Sequence, residues 1–340
     1  MVHGALAELG IDAPIYQAGL AGYSDTAMRT VAREHGCPYC ITEAMLDVFL
    51  VQGGKGLRDA ELTDSDHPIA GQLMGSHPEA IADGAEVLID LGYDVVDINL
   101  ACPVKKVKKK ARGGHLLSSP DEAVAILESV AKRVGGRRPL TVKLRRGYDD
   151  TPASEAAFRR IFESAMELGF AGATVHSRTV QQKYIGPGRR AFLRELMDRY
   201  GQRAEQEGFT IGGSGDVWTP ADALAMLRET GVHWVSVARG CIGDPWFFQQ
   251  ARDLLEGRQP STPTLAQQRA VLTRHFELAA RQTGEQRAGR TMRKFGIQFA
   301  ERHHPDGDTV RRAFISTRDT ASWHAVLDEH YAPDSAKPSA

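Results

Sequence analysis

Eight short apolar runs decide what this chain can fold into. Between about Ile11 and Ala251 the strings "APIYQAGL", "PYCITEA", "PIAGQLMG", "DVVDINLA", "LTVKLR", "GATVHS", "FTIGGSG" and "HWVSVAR" alternate with amphipathic segments. Each is strand length and apolar enough to be covered on both faces, as parallel strands are when helices connect them. The intervening segments carry helix signals. In "SSPDEAVAILESVAKRV", Ser119 is the expected cap and Pro120 the first helical residue, and Ala123, Val124, Leu127, Val130, Ala131 and Val134 repeat at spacings of three and four. "WTPADALAMLRET" repeats the device, with Thr219, Pro220 and Asp222 at its start and Gly231 after its end. Weaker starts stand at Ser76 to Pro78 and at Thr151 to Glu155.

About eight strand-then-helix units in close to ~250 residues predict a closed (β/α)8 TIM barrel over residues 11–255. An open doubly wound sheet is the structural alternative, and it would show a Gly-rich dinucleotide turn after an early strand. No such turn is present. Prolines and a polar run in "LEGRQPSTPTLAQQ" end the alternation, and "LAQQRAVLTRHFELAARQ", "GRTMRKFGIQFAERHH" and "TASWHAVLDEHY" then read as helices. They predict a small helical domain over residues 262–332, followed by a frayed tail.

The formal net charge of -1 means that a nucleic-acid partner would have to be held by local patches and not by the overall field. Four cysteines, Cys37, Cys40, Cys102 and Cys241, are too few and too irregular for a secreted disulfide framework, which points to a reducing, cytoplasmic setting. Cys37-Pro38-Tyr39-Cys40 reads as CxxC but runs into a strand-like segment, so two small buried residues are expected there, with no metal. The N-terminus lacks the basic and long apolar regions of an export signal, and no window approaches the ~18 apolar residues of a membrane span. No obligate protein partner is evident.

In a barrel the side chains at the C-terminal ends of strands converge on the active face. Those places hold Gln72, Asn99, Cys102, Lys143, Arg145, His176, Arg178, Ser214, Gly215, Asp216, Arg239 and Gly240. Burying unpaired polar groups costs roughly 1 to 3 kcal/mol apiece, so such a cluster calls for a polar ligand. The glycine-rich turns "IGGSGD" and "VARGCIG" after the last two strands, with helix starts at Thr219 and near Asp244, suit a phosphate. A phosphate-bearing flavin across the mouth would present its ring to Gln72, Lys143 and His176, where a cation stabilises the reduced ring. Cys102 has no histidine in its motif to make a hydrolase pair. A thiol beside a flavin can instead give a proton to the carbon next to the one that receives hydride.

These strings carry a resemblance. "DINLACPVKKV" with "GG.LL", "TVKLRRGY", "VHSRT", "GSGD" and "ARGCIGDPWFF" resemble the bacterial tRNA-dihydrouridine synthases, in order from about residue 14 to 330, and "RTMRKFGIQF" resembles that family's RNA-binding domain. The resemblance implies an FMN-containing TIM barrel that reduces a uridine of tRNA to 5,6-dihydrouridine, with NADPH reloading the flavin. By position, Cys102 protonates C5 while flavin N5 delivers hydride to C6. Asn99 and Arg178 contact the flipped-out uracil; Gln72, Lys143 and His176 hold the flavin ring. Ser214, Gly215, Asp216, Ala238 and Arg239 hold its phosphate, and Gly19, Leu20 and Ala21 lie beneath the ring. Lys105, Lys106 and Lys108, in a basic run with Lys109, Lys110 and Arg112, meet phosphates near the reacting base, and Arg293 and Lys294 contact the RNA from the helical domain.

The chain departs from the family strings at three points: "AGLAG" stands for "APMAG", "SGD" for "NGD" and "AR" for "GR". Each swap is small or keeps a backbone contact possible. Two other readings stay open: a flavin barrel acting on a free pyrimidine, as dihydroorotate dehydrogenases do, and a non-catalytic RNA-binding module that kept the fold. The first leaves the basic run and helical tail without a task. The second leaves Cys102, Lys143 and His176 without one.

Overall fold

A computed structural model describes residues 2–104 and 112–332. The basic residues Lys105, Lys106 and Lys108 lie outside the described residues. All eight apolar runs become parallel strands: β1 (Ile15–Gln17), β2 (Cys40–Ile41), β4 (Ile69–Met74), β5 (Val95–Leu100), β6 (Leu140–Arg145), β7 (Gly172–His176), β8 (Thr210–Ser214) and β9 (Trp234–Val237), with a two-residue β3 (Met45–Leu46) beside β4. Their order is β2-β1-β9-β8-β7-β6-β5-β4, and a β2–β4 pairing closes the ring. The predicted eight-stranded TIM barrel is the observed fold.

By compactness the chain divides into two units, residues 1–22 with 38–238, and residues 23–37 with 239–340. The first holds the barrel strands. Register there sets Gln72 opposite Asp97 and Asp97 opposite Thr141, and Asn99 opposite Lys143. It also sets Arg145 opposite His176 and His176 opposite Ser214. Because side chains alternate with a period of two, Asp97 and Asn99 share a face, as do Thr141, Lys143 and Arg145. Aromatic rings fill part of the interior: Tyr39 stacks on Trp234 at 5.7 Å and Tyr16 lies 4.6 Å from it. Gly212 makes room for that indole, since a Cβ there would lie 2.1 Å from Trp234 Nε1. Such a barrel is a packed core and not a pore.

The helix signals hold at Thr219 and Thr151. Thr219 forms a capping box with Asp222, and Gly231 closes that helix in the left-handed conformation. Thr151 caps the Pro152–Glu167 helix. Pro120 does begin the Pro120–Val134 helix, but the Ser119 side chain makes no capping bond. Its backbone N–H instead closes the Gly113–Ser118 turn on Leu116 O, which leaves Ser119 outside cap geometry. The buried face of this helix runs through Ala123, Ile126, Leu127, Val130 and Val134; Ile126 takes the place expected for Val124 and Ala131.

The second unit carries helices Leu265–Thr283, Glu285–His303, Gly307–Ser316 and Thr320–His330. The short Gly307–Ser316 helix was not among the three helical strings; the Asp306 carboxylate caps it through Thr309 N. Gly296 lets that helix approach closely, since a Cβ there would lie 2.6 Å from the Phe314 ring. The helix expected near Asp244 begins at Phe247, because Arg239–Cys241 forms a 3-10 turn first. No helix among the described residues is long and apolar enough to cross a membrane.

Candidate active site

Residues of β4, β5 and β6 form one hydrogen-bonded line that reaches the loop after β5. Asp97 is 2% exposed, and its two carboxylate oxygens accept from Thr141 Oγ1 at 2.6 Å and Gln72 Nε2 at 2.7 Å. Gln72 Oε1 accepts from Asn99 Nδ2 at 2.7 Å. Asn99 Oδ1 then accepts from the backbone N–H groups of Ala101 and Cys102, at 3.0 and 3.1 Å. Cys102 thus begins its loop with its own amide tied to a strand side chain. Twin glycines sit against it: a Cβ on Gly113, which has φ of +57°, would lie 3.0 Å from Cys102 Cβ, and one on Gly114 would lie 3.1 Å from Cys102 O. That packing explains the two glycines of the "GG.LL" string, and Leu116 and Leu117 are buried. Cys102 is half-buried, whereas Cys37, Cys40 and Cys241 are buried, and all four are free thiols.

Lys143 supplies the cation. Among the described residues its ammonium finds one hydrogen-bond partner, Ser214 Oγ at 3.1 Å. Burial lowers its pKa to about 8; Arg145 pushes the same way and Asp97 partly offsets both. Burial also raises the Asp97 carboxyl, against the pull of Thr141, Gln72 and Lys143. A half-buried ammonium with one neutral partner is a ready site for an anion or for an electron-rich ring edge.

On the far side, His176 Nδ1 accepts from Arg178 N at 3.1 Å, so a neutral ring carries its proton on Nε2. The Arg178 guanidinium is buried; it donates to Gly186 O at 2.6 Å and pairs with Asp216 at 2.6 Å. The other Asp216 oxygen accepts from Gly188 N at 2.7 Å. Arg178 and Asp216 therefore brace the loop after β7 against the turn after β8. Arg145 does similar work, donating to Ala101 O, Thr179 O and Lys183 O and lying 5.5 Å under the Tyr184 ring. The turn itself is unusual backbone, with φ of +110° at Gly215 and +51° at Asp216. Ser177 Oγ is buried beside it with no hydrogen-bond partner among the described residues, 2.7 Å from where a Gly215 Cβ would stand.

The remaining predicted residues fall at chain positions of their own. Gly19 and Leu20 are half-buried after β1, and Ala21 is exposed. A Cβ on Gly19 would lie 2.1 Å from Thr42 O, so this backbone path admits glycine where the family string has proline. Ala238 is the last residue of the first unit, and Arg239 lies in the second, in a 3-10 turn. In the second unit Arg293 is exposed, while Lys294 lies 4.6 Å over the Tyr23 ring and 5.0 Å from Phe295. Arg112, grouped with the basic run, is withdrawn from the surface and turns to the buried Asp47 at 4.0 Å. Asp97 and Thr141 lie inside β5 and β6, below the strand ends that the barrel rule points to, and Ser177 follows the last residue of β7. The signal for Asp97 was a carboxylate inside an apolar run.

Comparison with known proteins bears on what this arrangement is for. A profile of the dihydrouridine synthase (Dus) family matches residues 16–335. The chain belongs to the dihydrouridine synthase family. It is thus an oxidoreductase by family, and its Dus relatives match along their length. It is 29% identical over 329 residues to a probable tRNA-dihydrouridine synthase of Treponema pallidum, covering 95% of this chain and 94% of the relative. It is also 29% identical over 316 residues to tRNA-dihydrouridine synthase B of Xanthomonas campestris, covering 92% and 91%. Among solved structures, histamine dehydrogenase from Rhizobium sp. 4-9 superposes with a TM-score of 0.53 at 15% identity, over 78% of this Dus chain. The chain spans 49% of that protein, and the likeness concerns the barrel fold alone.

Proposed function

We propose that this protein is an FMN-dependent tRNA-dihydrouridine synthase that reduces one uridine of tRNA to 5,6-dihydrouridine with NADPH. The observation that carries the reading is Cys102: in a Dus chain, it is the one half-exposed thiol, and Asn99 holds its backbone at the edge of a polar barrel mouth.

The residues present fit a flavin phosphate and ring. Lys143 has donors to spare, Ser177 Oγ is buried and without a hydrogen-bond partner among the described residues, and the turn after β8 has positive φ at Gly215 and Asp216, which lets a ligand approach its backbone closely. Gln72, Lys143 and His176 would hold the ring, and Ser214, Gly215, Asp216, Ala238 and Arg239 the phosphate, with Gly19, Leu20 and Ala21 under the ring. Bound FMN, recharged by NADPH, supplies hydride to C6 of the uracil. Everything else falls to the chain. Cys102 gives its Sγ proton to C5, and Asn99 keeps the thiol's loop in place. Arg178, fixed by Asp216, keeps the Tyr184 loop at the substrate's side of the mouth.

The target base must leave its stack to reach such a pocket, at a cost of a few kcal/mol that contacts elsewhere offset. The Glu285–His303 helix supports a phosphate-binding role for the 262–332 region. Arg287, Arg290 and Arg293 recur every third residue along it, exposed and without a carboxylate partner among the described residues. Lys105, Lys106 and Lys108 would add contacts near the reacting base.

Mass spectrometry of tRNA from a strain lacking this protein, complemented with wild type or Cys102→Ala, tests the reading. Dihydrouridine should return with wild type and stay absent with the variant. A level equal in all three strains, with no second synthase present, would overturn it.

A further inference from the structure

The line from Asp97 to Cys102 has a direction that two independent ends dictate. At the loop end, the N–H groups of Ala101 and Cys102 can only donate, and both converge on Asn99 Oδ1. The Asn99 amide must therefore turn its NH2 to Gln72, which meets it with Oε1 and so turns its own NH2 to residue 97. At the strand end, an ionised Asp97 can only accept, and it accepts from both Gln72 and Thr141. The two requirements agree. The Thr141 hydroxyl can donate or accept and imposes nothing, so at the strand end it is the acceptor-only carboxylate of Asp97, as at the loop end it is the donor-only N–H pair, that excludes the reversed order.

We propose that Asp97 is a positioning residue for the proton donor: its carboxylate fixes the amide orientations of Gln72 and Asn99 and thereby holds the Cys102 loop by its backbone N–H groups. Asp97 touches no reacting atom and acts only through the two amides. The inference rests on the reading of Cys102 as proton donor for its catalytic consequence, but not for its structural one. Asparagine at position 97 lifts the requirement from the strand end alone, since its amide can present either end to Gln72 while Thr141 adjusts; the loop N–H groups still ask for the same order.

A charge-relocation cycle separates this from a merely structural role. Asn99→Asp sets an acceptor against Gln72 Oε1, and Gln72 cannot turn over while Asp97 remains an acceptor. Adding Asp97→Asn frees Gln72 to reverse, so that it donates to Asp at position 99, which again accepts from Ala101 and Cys102. The single Asn99→Asp change should lower the Cys102-dependent rate about tenfold or more at similar KM for tRNA. It should also speed amide hydrogen exchange at residues 101–102 and alter the rate of Cys102 alkylation by iodoacetamide. Asp97→Asn alone should move all three readouts the same way but less than Asn99→Asp, because the loop N–H groups then set the order from one end only, and the double variant should recover most of the loss caused by Asn99→Asp. Asn99→Ala, which removes the acceptor without adding charge, should not be rescued by Asp97→Asn. Losses that simply add in the double variant, in exchange and alkylation as well as in rate, would overturn the proposal. Those two readouts do not depend on catalysis, so an inactive wild type with intact rescue in exchange would count against the proposed function and leave the relay standing.

Discussion

Gln72 on β4 and Asn99 on β5 are joined through Oε1 and Nδ2 at 2.7 Å, and each amide has its other end committed, to Asp97 and to the Cys102 loop. A negative charge at position 72 would break this arrangement. Gln72→Glu sets two buried carboxylates together, and one of them must have its pKa raised. A raised carboxyl in the folded state binds a proton that the unfolded chain has lost, so stability falls as pH rises through the gap between the two pKa values. Urea unfolding at neutral pH should show a loss of about 2 to 4 kcal/mol that shrinks toward pH 5.

Lys143 titrates near 8 in the folded protein and near 10.5 when unfolded. Between those values the unfolded chain holds a proton that the folded chain lacks, so stability should rise with pH across that window. The gain is at most about 3 kcal/mol, and it should vanish in Lys143→Met. FMN affinity of the flavin-free protein should move the opposite way, weakening as pH passes about 8 and the cation is lost. A flat affinity profile would remove Lys143 from the flavin site.

Gly19 is held to its identity by Thr42 O. Gly19→Ala should push the Gly19–Ala21 segment off its path, weakening FMN binding while the far-ultraviolet circular dichroism of the barrel stays unchanged. Flavin fluorescence titration reads the effect.

Arg287, Arg290 and Arg293 form a row without carboxylate partners among the described residues. Replacing all three by Gln should weaken tRNA binding and reduce the slope of log affinity against log salt by about 2 to 3, as expected for three lost phosphate contacts. NADPH oxidation by the free enzyme should be unaffected. An unchanged slope would move the RNA interface elsewhere.

The barrel was legible in the sequence because parallel strands buried on both faces leave continuous apolar runs, and all eight were visible as such. The positions of Gln72, Asn99, Cys102, Lys143 and His176 followed from the rule that strand ends face the mouth. Partnerships were not legible. Arg178 stood in the chain as a cation one step past His176, and only the fold brings Asp216, 38 residues later, to its guanidinium. Asp97 gave a signal, a carboxylate in an apolar run, but its meaning depends on which neighbouring strands supply Gln72 and Thr141. The Gly307–Ser316 helix was hidden because "GDTVRRAFIS" is short and includes β-branched Thr309, Val310 and Ile315; it is capped by Asp306 and packs Phe314 on Trp323 at 4.9 Å.

In the proposed function this chain reduces uridine in RNA with Cys102 as the proton donor. Purified protein loaded with FMN, given unmodified tRNA and NADPH, tests it through mass spectrometry of the recovered nucleosides. Wild type should yield dihydrouridine, two hydrogens heavier than uridine, and Cys102→Ala should form it at least about a hundredfold more slowly while still binding FMN. No dihydrouridine from the wild type, or an unchanged rate in the variant, would contradict the account.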